Sequence, residues 1–127
     1  MTVPVSISGS SSGSPYNLGS NGSYATTSSQ NVIAGTDVTG DTVALAGGFG
    51  GNAITLAGAI SGNTVYDFHV NGDPYGPDTI TLNGWDHGSG NTVNASGSRA
   101  TIDLSWGTGD TLNLTPLHYR GFGLWCG

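Results

Sequence analysis

One short unit recurs along most of this chain. It reads Asp or Asn, then Thr, an aliphatic, any residue, a second aliphatic, a small residue and Gly. Clear copies are Asp41-Thr-Val-Ala-Leu-Ala-Gly47, Asn52-Ala-Ile-Thr-Leu-Ala-Gly58 and Asp78-Thr-Ile-Thr-Leu-Asn-Gly84. Looser copies begin at Asn31, Asn63, Asn91, Ala100 and Asp110. A repeat of this kind limits the fold before any other feature is read, because each copy must find a neighbour to bury against.

The two aliphatics of a unit stand two residues apart, so they share one face of a strand. Val43/Leu45, Ile54/Leu56, Ile80/Leu82, Val93/Ala95, Ile102/Leu104 and Leu112/Leu114 are the expected buried pairs. The Thr before each pair points outward, in keeping with its β-propensity. Gly, Asn and Asp between units supply the turns. A five-residue strand cannot bury its apolar face alone, so stacked units make the core. The spacing predicts an all-β fold, a parallel β-solenoid or β-roll with two strands and about 22 residues per coil. An antiparallel β-sandwich or jelly roll is the alternative, since its strands recur at similar intervals. The register of Asp/Asn-Thr and the closing Gly favours stacking of like on like, and hence the solenoid.

Composition narrows the function. The chain has 127 residues, enough for one domain. It contains no Lys and no Glu; its eight acids are all Asp, and Arg99 and Arg120 are the only fixed positive charges. Two Arg cannot neutralise a phosphate backbone, which excludes nucleic acid as a partner. The lack of the usual helix formers argues against a helical bundle. Disordered chains are also rich in Gly and Ser, but they are highly charged and poor in large apolar residues. Here only 8% of residues are charged, and three Trp, five Tyr and three Phe are present. No run approaches the roughly 20 apolar residues of a membrane span, and residues 1–8 lack the basic and apolar regions of a secretory signal. The expected location is a virion, or a cell surface or extracellular space reached without an N-terminal signal peptide.

Residues 1–30 read as an N-terminal strand (Val3, Val5 and Ile7 alternating, with Pro4 marking an edge) followed by a Ser/Gly-rich arm. Residues 31–116 form the repeat domain. Residues 117–127 form an aromatic tail that departs from the repeat and serves as a cap or an interface.

Gly40-Asp-Thr-Val, Gly62-Asn-Thr-Val and Gly109-Asp-Thr-Leu-Asn-Leu resemble the Gly/Asn/Asp-rich repeats of haemolysin-type (RTX) secreted bacterial proteins. The likeness covers residues 31–115 at most. It implies a secreted, acidic, non-catalytic β-roll. The calcium motif of that family, Gly-Gly-x-Gly-x-Asp before an aliphatic, is missing: Gly47-Gly-Phe-Gly-Gly-Asn-Ala-Ile carries Asn52 in place of the carboxylate. Calcium therefore does not carry over, and no cofactor is expected. The composition also resembles phage decoration, fibre and tail components.

Few side chains could carry chemistry. Asp67 stands where other units place Leu or Ala, with His69 two residues on. Asp–His pairs serve acid–base catalysis or metal binding. A one-residue slip would instead turn Asp67 and His69 outward and Tyr66 and Phe68 inward, and that slip is the expectation. In Gly84-Trp-Asp-His-Gly88, Trp85 offers a flat stacking surface for a sugar ring, with Asp86, His87 and Asn91 around it as polar partners. A loop whose Trp covers one end of the core is the plainer reading. No metal-ligand spacing, nucleophile elbow or phosphate loop is present. An ice-binding face would need two matched Thr columns, and only Thr79/Thr81 provide such a pair. The tail offers interface anchors in Tyr119, Arg120, Phe122, Trp125 and Cys126. The lone Cys126 cannot form an internal disulfide; it is a free thiol or a crosslink between subunits.

The expected role is a non-enzymatic structural or assembly protein of a virion or cell surface, acting through homo-oligomeric packing with other surface proteins. A secreted glycan-binding or adhesive module using Trp85 is the alternative, and a small hydrolase using the Asp/His clusters is a minor one.

Overall fold

The computed structural model describes residues 3–45, 50–68, 78–83, 90–96, 101–103 and 109–115. Among them the chain is all β, with no helix. The strands are β1 (Val5–Ile7), β2 (Tyr16–Asn17), β3 (Ser23–Thr26), β4 (Val32–Thr36), β5 (Thr42–Leu45), β6 (Ala53–Ala57), β7 (Thr64–Phe68), β8 (Thr79–Asn83), β9 (Thr92–Ser96), β10 (Thr101–Asp103) and β11 (Thr111–Thr115). Alternate strands join two sheets. One has the order β1-β3-β5-β7-β9-β11 and the other β10-β8-β6-β4-β2. Every strand pair is parallel. This is the β-solenoid expected from the repeat, with two strands per coil, and the antiparallel sandwich is excluded.

The register stacks like on like. Val43, Val65, Val93 and Leu112 form one column of the larger sheet. Ile33, Ile54, Ile80 and Ile102 form the matching column of the smaller sheet. Between the sheets, Ile7, Ile33, Val43, Leu45, Ile54, Leu56, Val65, Ile80, Leu82 and Val93 are buried, and Leu18, Val38 and Ile60 add to the same cluster. Ile102 is half-buried against it. Leu112 departs from the expected core. It is 40% exposed, because β11 is the last strand of its sheet and no further described coil covers it. Leu104 and the side chain of Leu114 lie outside the described residues.

The Ser/Gly-rich stretch contributes β2, β3 and their corners, instead of lying apart as an arm. Tyr24 anchors it. The Tyr24 hydroxyl accepts from Gly19 N (2.9 Å), donates to Gly19 O (3.0 Å), and its ring meets Tyr16 edge-on at 5.9 Å. A Cβ on Gly22 would lie 2.6 Å from that ring, so a larger residue there would have to displace Tyr24. β1 pairs with β3 of its own chain and buries Ile7. Pro4 stands one position before Val5, in register with Ser23 and Thr42. At this register Thr42, Thr64, Thr92 and Thr111 each donate a backbone N–H to the preceding coil. Pro4 has no N–H to offer, so the first edge of the larger sheet lacks a donor where an added strand would need one.

Leu82, on β8 of the smaller sheet, is 1% exposed. Leu82→Ala should lower the unfolding free energy by about 2–5 kcal/mol. Chemical denaturation followed by circular dichroism measures it, and a loss below that range would show that the core does not depend on this column.

Candidate functional site

The residues that open each repeat sit at two corners of the coil, where the chain turns into a strand. A residue with positive φ precedes most of them: Asn21, Gly40, Gly62, Gly90 and Gly109 at one corner, Gly9, Gln30 and Gly51 at the other. Each turn swings the following Asp or Asn side chain inward and along the stack. Asn31, Asp41, Asn52, Asn63, Asp78 and Asn91 are at most 2% exposed.

These side chains form two ladders. In the first, Asn31 donates its backbone N–H (3.0 Å) and Nδ2 (3.1 Å) to Asn52 Oδ1. Asn52 repeats the pattern onto Asp78 Oδ1, at 2.8 and 3.1 Å. In the second, Gly22 N donates to Asp41 Oδ1 (2.8 Å), and Asp41 N to Asn63 Oδ1 (2.9 Å). Asn63 then donates N–H (3.1 Å) and Nδ2 (3.0 Å) to Asn91 Oδ1. Asn91 does the same to Asp110 Oδ1, at 2.9 and 3.1 Å. The spare amide hydrogens reach corner carbonyls, Asn63 Nδ2 to Val38 O (3.0 Å) and Asn91 Nδ2 to Ile60 O (3.3 Å). Ser10 closes the top of the first ladder, donating through N and Oγ to Asn31 Oδ1.

Every ladder bond runs from donor in one coil to acceptor in the next coil toward the C-terminus. An Asp fits the foot of such a ladder, where it only has to accept. Asp78 and Asp110 hold those positions. Asp41 does not fit. It stands above Asn63, and its Oδ2, where Asn carries an amide donor, is buried with no hydrogen-bond partner. Burial pushes the Asp41 carboxyl up from its ordinary value, and the Gly22 N–H offsets part of that push.

Asp67 is the second irregular carboxyl. The expected slip does not occur. Asp67 keeps the repeat's register, paired with Leu45 on one side and Ala95 on the other, and is 1% exposed. Tyr66 faces outward at 37% exposure. The register holds because Val65 remains in its column, and slipping would expose it. Asp67 finds a polar partner across the coil interior, in a hydrogen bond with the Asp78 carboxyl. Burial is the main cause that pushes Asp78 up to about 8; the hydrogen bond and negative charge of Asp67 add to it, and the bonds from Asn52 oppose it.

A carboxyl acting in acid–base catalysis must reach the proton it transfers. Asp67 and Asp78 are buried between the sheets, at 1% and 2% exposure. No group of three or more His, Cys, Asp or Glu that could bind a metal occurs among the described residues.

The structure redistributes the residues singled out from sequence. Asn91, expected beside Trp85 as a polar ligand contact, is buried in the second ladder with its amide committed. Trp85, Asp86, His87 and His69 lie outside the described residues, as do Tyr119, Arg120, Phe122, Trp125 and Cys126. The Thr positions divide between the sheets, with Thr42, Thr64, Thr92 and Thr111 in register on one and Thr79 and Thr101 in register on the other. Asn94 and Asn113 form an exposed side-chain pair at 2.9 Å on the larger sheet. Sequence reading took the opening Asp/Asn as turn formers and missed their ladder. The signal was present in their recurring place at the head of each unit, before Thr at Asp41, Asn63, Asp78, Asn91 and Asp110 and one residue after Gly in several copies.

No protein-family model, no curated protein and no solved structure matches this chain.

Asn63→Ala removes the acceptor for Asp41 N and the donor to Val38 O, leaving buried polar groups bare. It should cost at least about 1–3 kcal/mol, whereas Asn113→Ala, in the exposed pair, should stay within about 0.5 kcal/mol. Equal losses in urea melts of the two variants would refute a structural role for the ladder. Asn52, at the position of the calcium carboxylate in haemolysin-type repeats, is committed to Asn31 and Asp78. Melting temperature should therefore be the same with calcium and with chelator; a chelator-induced drop of several degrees would restore calcium to the fold.

Proposed function

We propose that this chain is a non-enzymatic structural module of a virion or cell surface, working as a homo-oligomer packed with other surface proteins. One observation carries the reading: the repeated Asp and Asn side chains, the main supply of polar chemistry among the described residues, are consumed in ladders that join coil to coil. A chain that spends these groups on its own stacking is built to hold a shape. The compositional likeness to phage decoration and fibre proteins agrees with that.

Oligomer contacts belong at the C-terminal end in this reading. The N-terminal strand is taken up by its own chain, and Pro4 removes a donor from its free edge. Tyr119, Arg120, Phe122 and Trp125 supply the aromatic and Arg anchors typical of interfaces, and Cys126 stands among them.

Sedimentation equilibrium of the full-length chain, with and without reductant, should give a trimer of the 12.7 kDa subunit. Removing residues 117–127 should give monomers or aggregates. A soluble full-length monomer at micromolar concentration, unchanged by that truncation, would overturn the assembly reading.

A further inference from the structure

The ladders contain one carboxyl in the wrong place, and the core contains two carboxyls in contact. Both call for protons. At each regular rung an amide Nδ2 donates downward, from Asn31, Asn52, Asn63 and Asn91. At Asp41 the corresponding atom is Oδ2, and the Asn63 Oδ1 below already accepts from Asp41 N. Oδ2 is buried with no hydrogen-bond partner, an acceptor where the asparagine rungs carry a donor, and a hydrogen on it would restore that donor. Asp67 and Asp78 pose the same problem in another form: two carboxylates cannot hydrogen-bond to each other, whereas a carboxyl and a carboxylate can. Asp78 Oδ1 is already the acceptor for Asn52.

We propose that the folded solenoid retains carboxyl protons on Asp41 and on Asp78 above the ordinary Asp range, so that acidity tightens the coil stack and rising pH loosens it. In the unfolded chain the Asp41 and Asp78 carboxyls are in water and ionise as ordinary Asp. The folded state thus binds more protons above the ordinary Asp range. The stability from those protons is fully present below that range and is lost as pH rises through the folded-state values.

Among the described residues no basic side chain is present to neutralise the ionised forms. Asp41 is faced by Gly22 above and Asn63 below, with Asn91 and Asp110 further along the same ladder. Asp67 lies between Leu45 and Ala95 and meets Asp78, which meets Asn52. Asp37 is exposed at a corner and Asp103 on the outer face of the smaller sheet. Every charged side chain among the described residues is a carboxyl. The basic side chains His69, His87, Arg99, His118 and Arg120 all lie outside them.

Asp41→Asn and Asp78→Asn test the proposal with near-isosteric changes. An amide at 41 supplies the missing donor to Asn63. An amide at 78 keeps the acceptor for Asn52 and donates to Asp67. The melting temperature of the wild-type chain should fall between pH 5 and pH 9, with the folded-to-unfolded ratio decreasing up to about tenfold per pH unit for each retained proton. Each variant should flatten that fall and should melt above wild type at pH 8. The double variant should flatten it further. His titration is common to all the chains and cancels in the comparison. A wild-type stability that is flat or rises over this range, or variants that keep the full pH slope, would overturn the proposal. Infrared spectra of the wild-type protein at pH 6.5 give a readout that needs no variant. A protonated-carboxyl C=O band, absent once the protein is unfolded, is expected, and its absence from the folded protein would also overturn the proposal.

Discussion

The buried hydrogen bonds between one Asp/Asn side chain and the next hold this structure in register. A parallel sheet of short strands fixes its stacking weakly, since Val on Val or Ile on Ile tolerates a slide along the strand. The ladder does not. Each Oδ1 must meet a particular backbone N–H of the adjacent coil, and a shift of one residue would strand several polar groups in the core at once. The Thr columns, the aliphatic columns and the left-handed turns all take their positions from that constraint. The apolar core supplies cohesion, while the ladders supply alignment.

The ladders also have a direction, because each amide donates toward the C-terminal coil. That explains which rungs tolerate a carboxylate. Asp78 and Asp110 are at the feet and only accept. Asp41 stands near the top and breaks the rule, and Asp67 intrudes on an aliphatic column. In a chain without Lys, none of these carboxyls gains a lysine ion pair, and among the described residues protonation and the few N–H groups in reach are what can resolve them. Polar groups in such a core are tolerated as part of a satisfied network, and Asp41, whose buried Oδ2 has no hydrogen-bond partner, departs from it.

Much of the architecture was legible in the sequence because the aliphatic pairs and the Thr before them are independent of context. Val43/Leu45, Ile54/Leu56 and Ile80/Leu82 point inward for local reasons alone. What could not be read was which side chains meet across coils. Asn52 reaches Asn31 and Asp78, residues 21 and 26 positions away, and local patterning gives no hint of those distances. Asp67 was misread for a related reason. A carboxyl at an apolar position suggests a slip when the strand is considered alone. Within the stack, Val65 holds the register through Val43 and Val93, and Asp78 gives the carboxyl a partner from the other sheet. Leu112 shows the complementary error. Its strand obeys the pattern, but its burial depends on a coil beyond it.

The directional ladder gives the chain a grammar for growth. A stretch that begins after one rung and ends on the equivalent rung of the next coil brings its own donors and acceptors with it. Residues 42–63 are such a stretch, 22 residues long, carrying Asn52 for one ladder and Asn63 for the other. Copied in tandem, it would place Asn beneath Asn and leave Asp78 and Asp110 at the feet, with no acceptor newly facing another. A stretch ending on Asp110 would instead place a carboxylate in mid-ladder and repeat the conflict at Asp41. Length can thus change by whole coils of one kind and not the other, so that a lineage of such proteins could lengthen or shorten its rod by duplicating the asparagine-bearing coils.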